Sequence, residues 1–158
     1  MIPVLLREID IEAVQCNPPR IAIVYSTENW NIVERLVNEL RYEFKDRYQI
    51  SALNVKIGQS ESIHEISHHI KRHYLRCQVI YAVGVVYKSS PHYEPRQMDL
   101  LTRRLDALSG SPKFPLLVID CILVRESKEQ LEEQMLECGF AEVWAKRGVD
   151  AFNMLMPY

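Results

Sequence analysis

Residues 79–94 read Val79-Ile80-Tyr81-Ala82-Val83-Gly84-Val85-Val86-Tyr87-Lys88-Ser89-Ser90-Pro91-His92-Tyr93-Glu94. The first eight carry no charge and show no alternation of apolar and polar positions. A short, continuous apolar run bounded by turn residues fits a strand buried on both faces, which is the habit of parallel sheets covered by helices. Lys88-Ser89-Ser90-Pro91 closes the run, because these residues favour turns and proline cannot donate to a ladder. The segment therefore predicts an interior strand of an α/β protein, followed by a polar loop that carries a histidine.

The flanking sequence extends the pattern in both directions. Towards the N-terminus, 20–25 reads as a buried strand (Ile21, Ala22, Ile23, Val24) and 50–57 as an alternating one. Between them, Ile32, Val33, Leu36, Val37, Leu40 and Phe44 have helical spacing over 31–47, with Asn29 or Asn31 as the cap. Residues 60–75 read as a helix with Ile63, Ile66, Ile70 and Tyr74 on one face. Towards the C-terminus, 97–108 is a helix with Leu100, Leu101, Leu105 and Leu108 as its stripe, stopped by Gly110-Ser111-Pro112. Residues 114–124 are a fourth strand. Residues 127–138 are a Glu-rich helix with Gly139 suited to its C-cap. A last helix covers 143–156, interrupted near Gly148. Strands alternating with helices predict a three-layer αβα domain around a central, mostly four-stranded parallel sheet joined by right-handed crossovers. Cys16-Asn17-Pro18-Pro19 breaks the chain ahead of the first strand. The expected organisation is an arm at 1–19 and one domain at 20–158.

Composition narrows the function classes. A chain of 158 residues with 47% hydrophobic and 25% charged residues has enough apolar material for a real core without covalent staples. A formal net charge of −2 gives no electrostatic case for nucleic acid or an anionic membrane. The apolar start, Met1 to Leu6, is too short for a signal peptide. The expected location is the cytoplasm, or an organelle if a presequence has been removed. Cys16, Cys77, Cys121 and Cys138 form no C-x-x-C pair, so reduced thiols are expected and no metal or cofactor is implied. His64, His68, His69 and His73 form i,i+4 pairs, a spacing that can hold a metal. With no third ligand in view, a solvated helix face is the favoured reading. Likewise the acidic run from Glu129 to Glu137 and the Arg103-Arg104 pair read as wet helix faces.

An open parallel sheet binds ligands beyond the carboxyl ends of its strands. That rule points to 25–30, 57–62, 86–92 and 124–127. These segments carry further detail. The loop after the third strand reads Gly84-Val85-Val86-Tyr87-Lys88-Ser89-Ser90-Pro91-His92-Tyr93. The loop after the second contains Gly58-Gln59-Ser60-Glu61. Arg20-Ile21-Ala22-Ile23-Val24 precedes the first helix. Glu126-Ser127-Lys128-Glu129-Gln130 opens the acidic helix, and Lys146-Arg147-Gly148-Val149-Asp150-Ala151 lies in the last. In this order and at these strand ends, the chain resembles the lumazine synthases over roughly 20–156.

The resemblance implies a transferase of riboflavin biosynthesis. Such an enzyme condenses 5-amino-6-ribitylamino-pyrimidinedione with 3,4-dihydroxy-2-butanone 4-phosphate. It implies His92 as the catalytic proton carrier, a role suited to an imidazole near neutral pH. It implies substrate contacts from Glu61, Gly58, Val85, Lys88, Ser89 and Ser90. It also implies homopentamers, or multiples of them, with the site between subunits and the N-terminal arm joined to a neighbour's sheet.

The departures from the family define a second reading. The phosphate loop is one residue shorter and has lost its glycine, leaving Ser89-Ser90. The phosphate-binding arginine aligns with Glu137, where charge reversal at ~4 Å and an effective dielectric near 20 changes the interaction on a scale of ~4 kcal/mol. The stacking aromatic aligns with Glu28, which leaves Trp30 as the nearest substitute, and Ile57 replaces a proline. Arg147, Lys146 or Arg125 are the candidates to restore positive charge. The alternative is a catalytically inactive homologue that acts as a structural or assembly subunit of a larger, heteromeric complex. The related archaeal riboflavin synthases share the fold, but Pro91-His92-Tyr93 argues against them.

Overall fold

A computed structural model describes residues 19–109 and 117–155. The expected arm lies outside these residues except for Pro19, as do the stop at 110–112 and the first part of the predicted fourth strand. Strands β1 (Ile21–Ser26), β2 (Val55–Ser60), β3 (Val79–Tyr87) and β4 (Leu117–Arg125) form one sheet. Its order is β2-β1-β3-β4 and every pairing is parallel. Helices α1 (Trp30–Asp46), α2 (Ile66–His73), α3 (Pro95–Leu108), α4 (Lys128–Glu137) and α5 (Phe140–Leu155) connect and cover it. This is the doubly wound, three-layer αβα arrangement of flavodoxin-like folds, as the alternation of elements predicted.

The period-2 geometry of the strands divides the core. Ile21, Ile23, Tyr81, Val83, Val85, Cys121 and Leu123 face α1 and α5, meeting Leu36, Leu40, Phe44, Trp144 and Ala145. Ala22, Val24, Ile80, Ala82 and Val86 face α2 and α3, meeting Ile63, Ile66, Ile70, Met98, Leu101 and Leu105. Each Val, Leu, Ile, Phe or Met among them, fully buried, contributes roughly 1.5–3 kcal/mol of transfer free energy. β3 lies between β1 and β4, and its residues 79–86 are all buried. This explains why it reads as an unbroken apolar run. Among the described residues no helix is long and apolar enough to cross a membrane.

Several sequence expectations shift, each for a local reason. Ser51 caps a 3-10 turn at Ala52–Asn54, its hydroxyl accepting from Leu53 N at 3.2 Å, so β2 starts at Val55 and not at 50. β2 then runs to Ser60, which was expected to be helical, because Ser60 pairs with Ser26. Ser62 caps a second 3-10 turn (Ile63–Glu65), and α2 begins only at Ile66. Gly139 is not the C-cap of α4. Cys138 takes that place in an extended conformation, and the Gly139 carbonyl accepts from Val143 N as α5 begins. Gly148 does not interrupt α5. A β-carbon there would collide with the Tyr81 phenol and meet Val79 Cγ1 at 3.0 Å, so the glycine admits the helix onto β3.

Candidate functional site

The chain crosses from β2, on one side of β1, to β3 on the other, so the loops after β1 and β3 diverge and leave a crevice. A cleft of about 260 Å³ occupies this point. Glu28 and Asn29 line it from the β1 loop, and Ile63 and His64 from the turn before α2. Ser90, His92, Tyr93 and Glu94 come from the β3 loop, and Gln97 and Met98 from α3.

Asn29 builds one wall. It holds a left-handed conformation (φ 57°, ψ 44°) that asparagine tolerates better than most residues. Its carbonyl accepts from Ile32 N and Val33 N, while its Nδ2 donates to the Val85 carbonyl at 2.7 Å. The predicted cap is therefore confirmed in position, but its side chain ties the β1 loop to β3. Glu28 ties the same loop to the turn before α2, its carboxylate accepting from Ile63 N at 3.4 Å.

The β3 loop builds the opposite wall and is closed by its own hydrogen bonds. Lys88 N donates to Arg125 O at 2.8 Å and Ser89 N to Glu126 O at 3.3 Å. Ser90 N donates to Tyr87 O at 3.0 Å and Tyr93 N to Ser90 O at 3.1 Å. His92 N donates to the Ser90 hydroxyl at 3.3 Å, a serine turn. Pro91 has no N–H. Every backbone donor from Lys88 to Tyr93 thus has a partner within the protein. An anion nest needs several such groups pointing outward together.

The residues singled out from sequence separate into two sets. His92 and Ser90 enter the cleft together. The others do not line it. Lys88 borders the neighbouring hollow with Tyr93 and Met98 and pairs with Glu126 at 3.4 Å. Ser89 is exposed, and Glu61 is exposed at the bend after β2. Gly58 is buried within β2, where a β-carbon would strike the Tyr74 ring, so it serves packing. The Val85 side chain is fully buried in the core and its carbonyl is taken by Asn29. Trp30 lies tilted against Tyr25 with ring centroids 5.0 Å apart, and Tyr25 packs with the core on the opposite sheet face from the cleft.

Arg147 sits next to Gly148, level with Val79 and Tyr81 at the start of β3. The cleft lies at the other end of the sheet. α5 starts near the end of β4, where Arg125 lies over the Phe140 ring at 5.7 Å, and carries Arg147 away from the loops. Lys146 is engaged by Asp150 at 2.8 Å. The cleft lining thus combines two imidazoles with the carboxylates of Glu28 and Glu94, and includes no lysine or arginine among the described residues. The sequence marks His64 only as one of the i,i+4 histidines and gives Glu94 and Gln97 no role. The only signal was positional, since Glu94 and Gln97 follow His92 directly into α3.

The histidines of α2 do not form a metal centre. The His69 and His73 rings lie 4.8 Å apart, but no group of three metal-binding side chains occurs among the described residues. Cys77, Cys121 and Cys138 are free thiols.

Fold and cleft together define a flavodoxin-like α/β protein with an open crevice at its switch point. Set against known proteins, the chain matches no protein-family model and no curated protein.

Proposed function

We propose that this chain is a lumazine-synthase-like protein that serves as a structural or assembly subunit and does not perform the condensation. One observation carries the reading. The loop where the family holds phosphate has every backbone donor engaged internally, and the cleft beside it is lined by two carboxylates and two imidazoles and by no lysine or arginine among the described residues. A dianionic phosphate brought there would face the carboxylates of Glu28 and Glu94 with no lysine or arginine among the described lining residues to offset them, which the interaction scale of charges at short range disfavours. Glu137, at the position of the family's arginine, ends α4, a helix whose one basic residue is Lys128.

The enzymatic reading has one specific support, the convergence of His92 with Ser90 in the cleft. An assembly role is supported by large apolar side chains left in water on adjoining elements, among them Leu136 (86% exposed) and Val143 (54%). Mixing the purified chain with the ribitylamino-pyrimidinedione and the ketose phosphate should yield no lumazine fluorescence. Turnover that disappears in His92→Ala would overturn the proposal in favour of the synthase. Light scattering should give a pentamer or a multiple of it, and a monomer would remove the assembly role.

A further inference from the structure

On the outer face of the domain, α2 and α3 part to leave a groove of about 810 Å³. Sites for small ligands typically enclose roughly 300–1,000 Å³. Both helices run back from the carboxyl ends of parallel strands, so they descend side by side. On each wall a cation is followed four residues later by a leucine. Lys71 precedes Leu75, and Arg104 precedes Leu108. Four residues are about one helical turn, or ~6 Å. The groove is therefore cationic towards the carboxyl ends of the strands and apolar towards their starts, where Ala107 adds to the leucines.

We propose that this groove binds a monocarboxylate carried on an apolar body, of the size of a medium-chain fatty acid. Three observations carry the assignment. The first is charge. Lys71 and Arg104 are exposed and take part in no ion pair among the described residues. Glu65 is the one carboxylate of the lining, so two permanent cations leave a surplus of one positive charge. That surplus matches a single negative charge and falls short of a dianion. The guanidinium fork of Arg104 also suits the two oxygens of a carboxylate.

The second is an unused hydroxyl. Ser67 lines the groove and is only 6% exposed, yet its side chain makes no hydrogen bond among the described residues. A buried polar group normally has a partner, and a carboxylate oxygen beside Lys71 supplies one. The third is apolar surface. Leu75 is 40% exposed, and a tail laid along Leu75, Ala107 and Leu108 removes that surface from water. The head and the tail of the ligand thus meet matching ends of the groove. His64 lines both this groove and the switch-point cleft, whereas His92 lines the cleft alone. The two imidazoles therefore report which of the two spaces a ligand enters.

The test is calorimetric titration of the purified full chain with decanoate, kept below its micellar range. One saturable site per chain is expected. Lys71→Gln together with Arg104→Gln should weaken binding at least tenfold, since both charge-assisted contacts are lost. Ser67→Ala should weaken it about threefold. Decanol, with the same tail and no charge, should bind at least tenfold more weakly than decanoate. In the unaltered chain, decanoate should shift the imidazole proton resonances of His64 and His68 and leave those of His92 in place. Absence of a saturable site, equal binding of decanol, or binding unmoved by the double substitution would overturn the proposal. So would tighter binding of decyl phosphate than of decanoate, or a shift confined to His92, which would put the ligand in the cleft. None of these outcomes bears on the assembly role, which light scattering reads separately.

Discussion

A single missing atom sets how closely α5 approaches the sheet. Gly148 leaves room for the Tyr81 ring, which is fully buried, lies tilted against Phe44 with centroids 5.1 Å apart and donates its hydroxyl to the Ala145 carbonyl at 3.3 Å. Burial pushes the Tyr81 phenol far up, so it stays a donor at any working pH. Gly148→Ala should therefore lower stability by about 1–3 kcal/mol, as overpacking does in a tight interior. Urea unfolding would check it. Gly58→Ala faces the Tyr74 ring, which is only partly buried and can move, so its loss should be the smaller of the two. The sequence shows a glycine inside each pattern but not what stands across from it. That is why Gly148 reads as a break in a helix, and Gly58 as a ligand contact. His92 and Ser90 are legible because they follow a strand whose end is unmistakable. Glu94 and Gln97 join them through a helix start whose direction the chain alone does not reveal.

At the level of elements, legibility follows burial. β3 is enclosed and α1 buries one complete stripe (Ile32, Val33, Leu36, Val37, Leu40 and Phe44), so their patterns have one interpretation. β2 is an edge strand with Lys56, Ile57 and Gln59 exposed, so its boundaries are decided by serine caps at each end. α4 is similar. Only Leu131 is buried, and its start depends on Ser127, whose hydroxyl accepts from Gln130 N at 3.3 Å, while the Gln130 side chain accepts from Glu126 N at 2.9 Å. Ser127→Ala should cost about 1 kcal/mol, measured by thermal unfolding. α2 adds a pH dependence. Burial, then His73, His68 and Arg72, hold the His69 imidazole below its ordinary 6.5, against a smaller pull from Glu65. The folded chain then binds that proton less tightly than the unfolded chain. The stability is complete above about pH 6.5 and is lost as pH falls through the lowered value. Melting temperatures measured from about pH 7 down to about pH 5 should fall less steeply in His69→Gln than in the parent.

The molecule as a whole offers two buried thiols as reporters of its integrity. Cys77 and Cys121 belong to the cores on opposite faces of the sheet, and burial raises both above the ordinary thiol range. A thiol reagent should label Cys138 at once. With Cys16 and Cys138 replaced by serine, labelling of the remaining pair should be slower than that of a free thiol by at least a hundredfold. Its rate should also rise in Gly148→Ala in step with the lost stability. Rapid labelling of Cys77 alone would show that the α2–α3 face opens independently of the α1–α5 face.

The strand order also has a consequence in time. β1 is interior, yet the partner on one of its edges is β3, with Ile21 set against Val79. At about 5–20 residues per second, roughly 3–12 s separate the synthesis of Ser26 from that of Tyr87 on a ribosome. During that interval Ile21-Ala22-Ile23-Val24 has one edge unfilled and its apolar faces only partly covered. Such a strand is a site for a holding chaperone, or for the same strand of another nascent chain. Slow synonymous codons across residues 27–87 should therefore raise the fraction of new chain that is aggregated or chaperone-bound, measured by sedimentation after synthesis.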